Sequence, residues 1–237
     1  MGASGGAMVV TIDGPAGAGK STIARRLAER LGFAFLDTGA MYRAVALAAL
    51  RRGWGDNDAD QIAQVAQELA IDFDGTRTLL DGEDVSQAIR TSEVSAAVYL
   101  AADNIAVRRR LVELQQQIGA NRDLVTEGRD QGTVAFPQAE CKIFLTASPA
   151  ERARRRFEEL QSRGEPTTFD EVLAQQTIRD ERDATRPVGA LLKAADAVEV
   201  CTDGLTLEQV VDRLDEIVAE SVQGSETRVP GSGFRVQ

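Results

Sequence analysis

The sequence predicts a three-layer α/β/α fold. A parallel sheet is covered by helices on both faces, an inserted lobe holds a small antiparallel sheet, and two charged helices form a separate hairpin. Three observations carry this. Short apolar runs near 8–12, 34–36, 124–126, 142–146 and 197–200 recur between stretches of helical periodicity, the alternation that gives a parallel sheet buried on both faces. Between 53 and 92 that grammar stops, and short alternating runs are separated by Asp74-Gly75 and Asp81-Gly82, dipeptides of tight hairpins. From 149 onward two charged helical stretches follow one another across a break around Gly164 and Pro166.

The first strand, 8–12, runs into Gly14-Pro15-Ala16-Gly17-Ala18-Gly19-Lys20-Ser21-Thr22. The spacing G-x-x-x-x-G-K-S/T marks a phosphate-binding loop when a strand precedes it and a helix follows. Here Ile23, Leu27 and Leu31 supply the helix and Gly32 its stop. The glycines let backbone N–H groups wrap an anion while the new helix presents its positive end. In such loops the lysine, here Lys20, reaches the β- and γ-phosphates, and the hydroxyl of Ser21 is a Mg²⁺ ligand. The function class is nucleotide-phosphate binding.

The strand at 34–36 leads into Asp37-Thr38-Gly39-Ala40-Met41-Tyr42-Arg43-Ala44, with Thr38 the expected N-cap of a helix carrying Tyr42, Val45, Ala46 and Leu50 to near Gly53. A polar helix at 58–69, hairpin strands at 71–73 and 78–80, and helices at 93–102 and 105–118 make up the inserted lobe. Strand 124–126 is followed at once by Glu127-Gly128-Arg129-Asp130-Gln131-Gly132-Thr133. In a parallel sheet, functional loops lie beyond the carboxyl ends of the strands. Asp37, Glu127, Arg129 and Asp130 fall there, on the same side as the glycine loop. A helix at 149–160 bears Arg152, Arg154, Arg155 and Arg156, and one from Asp170 bears Arg179, Asp183 and Arg186. Asp183 stands one turn beyond Arg179 on the same face. The two helices suit a mobile lid over a nucleotide and equally an exposed helical hairpin. Strand 197–200 and a helix at 207–222 end the pattern.

Composition narrows the class further. A formal charge of −10 argues against a surface that grips nucleic acid without sequence preference. Lys20, Lys142 and Lys193 are the only lysines, so the remaining cations are arginines, which bind phosphate bidentately. The absence of histidine removes His-based triads and, with only two cysteines, makes a zinc site implausible. No apolar run approaches the roughly 18 residues a bilayer requires, and the first residues lack a signal peptide's basic and apolar regions. A cytoplasmic location is expected, with Cys141 and Cys201 expected as two buried, reduced thiols.

These motifs make the chain resemble the bacterial cytidylate kinases, among the P-loop nucleoside monophosphate kinases. The matching segments are Ile12-Asp13-Gly14-Pro15 running into the glycine loop, Asp37 to Arg43, Gly82-Glu83-Asp84-Val85-Ser86 and Ile89-Arg90. They continue with Glu127 to Val134, Lys142 to Ser148, and Arg179-Asp180 with Asp183 and Arg186, in one register over about residues 8–222. The resemblance implies transfer of the γ-phosphate of ATP to CMP, and to dCMP, with Mg²⁺. It implies that Gly14, Pro15, Ala16, Gly17, Ala18, Gly19, Lys20, Ser21 and Thr22 hold the ATP phosphates. Lys20, Arg129 and Arg186 would be catalytic. Thr38, Tyr42 and Arg43 would hold the acceptor phosphate with Arg129 and Arg186. Arg108 and Asp130 would face the cytosine, and Arg179 with Asp183 the ribose hydroxyls.

The sequence departs from the family at three places. Tyr99 stands where the family has a serine, so either its hydroxyl or that of Ser95, one turn earlier, takes over that base contact. Gly189-Ala190-Leu191 replaces Ala-Pro-Leu, and Cys201 stands where an Asp is common. The implied organisation is a flexible leader, 1–7, one P-loop kinase domain, 8–222, and a disordered tail, 223–237. Within the domain, 8–36, 123–150 and 187–222 form the core, 37–122 the monophosphate-binding lobe and 151–186 the lid. The expected partners are small molecules, with no nucleic acid or membrane, and the protein is expected to be a monomer. A GTPase-like switch would carry an Asn-Lys-x-Asp motif, which is absent. A P-loop kinase for UMP or for an alcohol is the nearer rival. An alcohol would need a base to take its proton and would leave the arginines unexplained.

Overall fold

The computed structural model describes residues 7–226. In chain order the elements are β1 (Val9–Asp13), α1 (Lys20–Leu31), β2 (Ala34–Asp37), α2 (Thr38–Leu50), α3 (Ala59–Glu68), β3 (Ile71–Asp74), β4 (Arg77–Leu80) and β5 (Glu83–Asp84). There follow α4 (Ser92–Ala97), α5 (Tyr99–Ala102), α6 (Ile105–Gly119), β6 (Leu124–Gly128), β7 (Cys141–Thr146), α7 (Pro149–Ser162), α8 (Phe169–Thr185), β8 (Val198–Cys201) and α9 (Leu207–Glu226).

The main sheet is parallel, with strand order β2-β6-β1-β7-β8. β1 lies at its centre and all its residues are buried, which is why it reads as a continuous apolar run rather than an alternating one. The register sets Asp13 opposite Gly128 and Phe144, and Asp37 opposite Glu127. The carboxyl ends of β1, β2 and β6 therefore finish together, and their acidic residues share one rim.

Three apolar clusters hold the layers. Ile23 and Leu27 of α1 and Val210, Leu214 and Ile217 of α9 pack on Val10, Ile12 and Ile143. A second cluster joins α2 to α6 with Leu36 and Leu124 of the sheet. Its centre is α2, an Ala-, Val- and Leu-rich helix buried nearly all round, as expected of a helix without a solvent face. The third lies between α7 and α8, where Ala153, Leu160 and Val172 meet and Phe157 and Phe169 pack edge to face at 6.4 Å.

Several elements differ from the sequence-based expectation. The hairpin gains β5 and becomes a three-stranded sheet, β3-β4-β5. The helix expected at 93–102 breaks at Val98 into α4 and α5. Thr38 does not cap α2. Asp37, in extended backbone at the end of β2, accepts from the Ala40 N–H at 2.9 Å and is the cap, and Thr38 is the first helical residue. Of two adjacent residues able to cap, the one still in the strand takes the role. Cys201 is exposed while Cys141 is buried, because β8 is an edge strand on which only Val200 is buried. Residues 223–226 belong to α9 rather than to a tail. The rest of the expected tail, 227–237, and residues 1–6 of the leader lie outside the described residues. Among the described residues no helix is long and apolar enough to cross a membrane.

Candidate active site

The glycine loop turns from β1 into α1 with Gly14, Gly17 and Gly19 at φ 151°, 80° and 87°. A β-carbon on Gly14 would fall inside contact distance of the Leu145 carbonyl oxygen, so this position admits only glycine. Lys20, the first residue of α1, is buried and arches back to donate from Nζ to the Pro15 carbonyl at 2.8 Å. Burial, and then repulsion from Arg129, lower its pKa to about 7 against the opposing pull of Glu127. Asp13 ends β1 and accepts from the N–H groups of Gln131 and Gly132 at 2.8 and 2.7 Å. Burial raises it to about 6 although those two bonds oppose the shift. That carboxylate ties the glycine-loop strand to the turn that follows β6.

Glu127 sits between the two halves of the cleft. Its Oε1 accepts from Ser21 Oγ at 2.6 Å, and its backbone carbonyl accepts from Thr38 Oγ1 at 2.7 Å. Burial, and then the neighbouring Asp37 carboxylate, raise its pKa. Ser21 and Glu127 are hard oxygen donors, the chemistry Mg²⁺ favours when phosphates and water complete its shell. Among the described residues no group of three or more acidic, His or Cys side chains forms a metal cage.

Across Glu127 stand four arginines. Arg43 on α2 pairs with Asp37 at 3.1 Å. Arg129 reaches Asp183 Oδ2 at 2.7 Å from Nε and the Gly128 carbonyl at 3.2 Å from Nη1. Arg186, just past α8, reaches Asp183 Oδ1 and Asp103 Oδ1, both at 2.7 Å. Burial alone would raise Asp183, but Arg129, Arg186 and Arg179 outweigh it and hold the carboxyl at about 2. Arg179 reaches solvent at the cleft mouth, within electrostatic range of Arg129, Asp183 and Arg43.

Deeper in, Arg108 of α6 and Asp130 form a salt bridge with both side chains only 4% exposed. Arg108 also donates to the Ala102 carbonyl at 3.1 Å and lies 5.4 Å above the Tyr42 ring. Burial raises the Asp130 pKa in spite of Arg108. Tyr42 is buried here, its hydroxyl pushed up to about 12 by burial, with the charges of Arg108, Asp130 and Arg186 in range. Tyr99 lies apart. Its ring lies 4.6 Å from the Arg182 guanidinium, joining α5 to α8, and the neighbouring Asp56 carboxylate raises the pKa of its hydroxyl. Ser95 is half-buried on α4.

Three groups were not singled out from the sequence. Glu127 was placed on the functional rim but given no bond. Asp103 holds Arg186, and Arg152 holds the glycine loop. Arg152 is buried and donates to the carbonyls of Ala16 at 3.1 Å and Ala147 at 3.0 Å, and pairs with Asp180 of α8 at 2.8 Å. For Glu127 a signal existed, since it ends a buried strand on the rim. Asp103 and Arg152 meet partners far away in sequence and carried none.

A family model described as cytidylate kinase matches residues 10–220. A cytidylate kinase from Rhodopirellula baltica is 48% identical over 92% of this chain and 95% of its own length. One from Pelotomaculum thermopropionicum is 51% identical over 85% and 92%, and one from Caldanaerobacter subterraneus 45% over 91% and 96%. Solved structures match loosely. A shikimate kinase from Bacteroides thetaiotaomicron, 15% identical and covering 90% of this chain and 98% of its own, gives a TM-score of 0.48, a likeness without functional weight. With the motifs in one register from the glycine loop to Arg186, the chain belongs to the cytidylate kinase family.

Proposed function

We propose that the protein transfers the γ-phosphoryl group of ATP to CMP, releasing ADP and CDP, with dCMP a second acceptor. Glu127 carries this reading. Its side chain bonds Ser21 in the phosphate loop and its carbonyl bonds Thr38 beside the arginines, so a donor-phosphate site and an acceptor-phosphate site abut across one residue. We assign the ATP phosphates to the loop from Gly14 to Thr22. The acceptor phosphate goes to Thr38, Arg43, Arg129 and Arg186, the ribose to Arg179 and Asp183, and the base to Arg108 and Asp130. Tyr42 supports Arg108 in this scheme, and Tyr99 joins α5 to α8. The α7–α8 hairpin, with its own small apolar core, serves as the lid.

The acceptor phosphate is already an anion at neutral pH, its second pKa being about 6. One of its oxygens forms the new bond to the γ-phosphorus while the bond to the β–γ bridging oxygen breaks and its electrons leave with ADP. No proton moves, so no general base is needed. The work is positioning and charge neutralisation. Lys20 and the loop N–H groups meet the donor. Arg43, Arg129 and Arg186 release carboxylate partners and take the acceptor phosphate in their place. Mg²⁺, held through Ser21 and the phosphates, would supply further neutralisation when bound. Asp130 has about four lone-pair sites, so pairing with Arg108 leaves acceptors for the 4-amino group of cytosine. The reading extends to a monomer acting in the cytoplasm.

The test is initial-rate ADP formation at saturating ATP and Mg²⁺ with CMP, dCMP, UMP, AMP and shikimate. CMP is expected to give the highest kcat/KM, with dCMP above UMP. A higher kcat/KM for UMP or shikimate than for CMP overturns the assignment.

A further inference from the structure

We propose that Asp103 is a positioning residue for the acceptor phosphate, setting where Arg186 stands relative to Thr38 and Arg43. This rests on the assignment of those three groups to that phosphate. They come from two separate elements. Thr38 and Arg43 are on α2, and Arg186 follows the end of α8. A phosphate held by all three needs those elements in fixed register.

The Arg186 side chain is buried, and two acids orient it. Asp183 accepts from Nη2 at 2.7 Å, but it lies three residues earlier on α8 and is carried wherever that helix goes. Asp103 accepts from Nε at 2.7 Å and ends α5. That helix packs with α2 in the second apolar cluster through Leu100 and Ala101. Of the two acids, only Asp103 ties Arg186 to the element that carries Thr38 and Arg43. The grip has a second rung one turn back. The Arg182 guanidinium lies 4.6 Å from the centre of the Tyr99 ring, with its Nε 3.8 Å from Asp103 Oδ2. Residues four apart on α5 thus meet residues four apart at the end of α8, so their register is set twice.

The bonding also leaves room for a ligand. A guanidinium has five N–H donors. Arg186 uses one at Nε on Asp103, one at Nη2 on Asp183 and one at Nη1 on the Gly189 carbonyl at 3.4 Å. Each terminal nitrogen keeps a hydrogen, and a phosphate that takes them leaves the Nε bond to Asp103 in place. Asp183 is then the partner exchanged, while Asp103 keeps its hold. Removing Asp103 does not strand a buried charge, because Asp183 still pairs with Arg186. With its side chain 35% exposed, Asp103 itself adds little stability. What Arg186 loses is its orientation.

The experiment measures kcat and KM for CMP and for ATP, with Tm, in wild type, Asp103→Ala, Asp103→Asn, Arg186→Ala and the double variant Asp103→Ala with Arg186→Ala. Asp103→Ala is expected to lower kcat/KM for CMP about tenfold or more, the scale of a misplaced orienting group, with the ATP KM and the Tm close to wild type. Asparagine keeps an oxygen acceptor at the same reach, so Asp103→Asn should recover most of that loss. In the Arg186→Ala background, removing Asp103 should have no further effect on CMP, because a residue that acts through another has nothing left to act on. Wild-type kinetics in Asp103→Ala overturn the proposal, whether or not the Tm falls. A full further loss in the double variant overturns it too, since Asp103 then acts by another route. Equal losses in Asp103→Asn and Asp103→Ala overturn it by making charge, not placement, the cause. Arg186→Ala separates the two layers of argument. Wild-type use of CMP there overturns the acceptor-phosphate assignment and this proposal with it. A large loss there beside wild-type kinetics in Asp103→Ala overturns the proposal alone.

Discussion

At the glycine loop the anion-facing groups are backbone N–H groups and one buried lysine, all set by a single contiguous stretch. Across Glu127 the acceptor cleft is made of side chains instead. Arg43, Arg129, Arg179 and Arg186 come from α2, from the turn after β6 and from α8 and its exit. Three of them already hold acids, at Asp37, Asp183 and Asp103. The loop offers an anion site fixed by main-chain conformation. The cleft, on our proposed assignment, would offer one in which phosphate replaces carboxylate. The acids keep buried arginines from standing unpaired, a condition that destabilises by about 3–5 kcal/mol, and on the proposed assignment acceptor binding becomes an exchange of partners.

The largest break in this comparison comes from Lys20→Ala. In the proposed scheme the lysine serves the donor side, where charge shifts during transfer, so kcat should fall by about 10²–10³, the usual effect of deleting one transition-state charge contact. CMP affinity, measured by calorimetry without ATP, should stay within about threefold. Comparable losses in both quantities would show that the two ends are not separable.

Asp183→Ala tests the other side. It strips Arg129 and Arg186 of a shared partner, and with the Arg186 side chain only 5% exposed about 3 kcal/mol of stability should go. Inorganic phosphate should then raise the Tm of the variant more than that of wild type, because it fills the position the carboxylate left. The sign with pH also follows. A carboxyl held at about 2 in the folded protein, against 3.8 ordinarily, contributes stability that is present above about pH 4 and lost as pH falls toward 2. The acid limb of the stability curve should flatten in the variant. The preference for CMP over dCMP should narrow as well. Equal phosphate effects on the two proteins would contradict the exchange.

The difference between the two ends also explains what was legible in the sequence. The glycine loop, its strand and its helix are local, and spacing alone locates them. The sheet showed through its apolar runs, and the rim carrying Asp37, Glu127, Arg129 and Asp130 followed from strand direction. The cleft was legible only as residues carried by a resemblance. That Arg129 and Arg186 share Asp183, that Asp103 holds Arg186, and that Arg152 reaches the Ala16 carbonyl are contacts between distant segments with no periodicity to announce them. Thr38 misled because two capping residues are adjacent, and spacing does not say which one the strand retains. Tyr99 drew attention as a departure from the family, but its place between Asp56 and Arg182 depends on how α5 meets α8.

Within the cleft, Asp130→Asn sharpens the base end. A carboxylate only accepts, so it opposes the 4-carbonyl of uracil, while an amide can rotate and donate. The wild type should favour CMP over UMP by about 1–3 kcal/mol, and the variant should lose most of that through improved or retained UMP use. Matching ratios of kcat/KM in the two proteins would remove Asp130 from base recognition.

The smallest effect is a proton. Lys20 is lowered to about 7 by burial and by Arg129, with Arg179 adding repulsion and Glu127 and Asp13 pulling the other way. In the unfolded chain the same lysine titrates near about 10.4. Between those values the unfolded state binds more protons, so this group makes the ligand-free protein more stable as pH rises from about 7 toward 10. A nucleotide triphosphate beside Lys20 restores its charge and reverses the sign for binding. In that window ATP should bind with uptake of up to about one proton, and its affinity should weaken by at most about tenfold per pH unit. Calorimetry at about pH 8.5 in two buffers of different ionisation enthalpy reads the uptake directly. Lys20→Met should abolish it while leaving CMP binding unchanged. Identical binding enthalpies in the two wild-type experiments would mean that Lys20 is already charged before ATP arrives, and that the loop is as fully prepared electrostatically as it is in backbone shape.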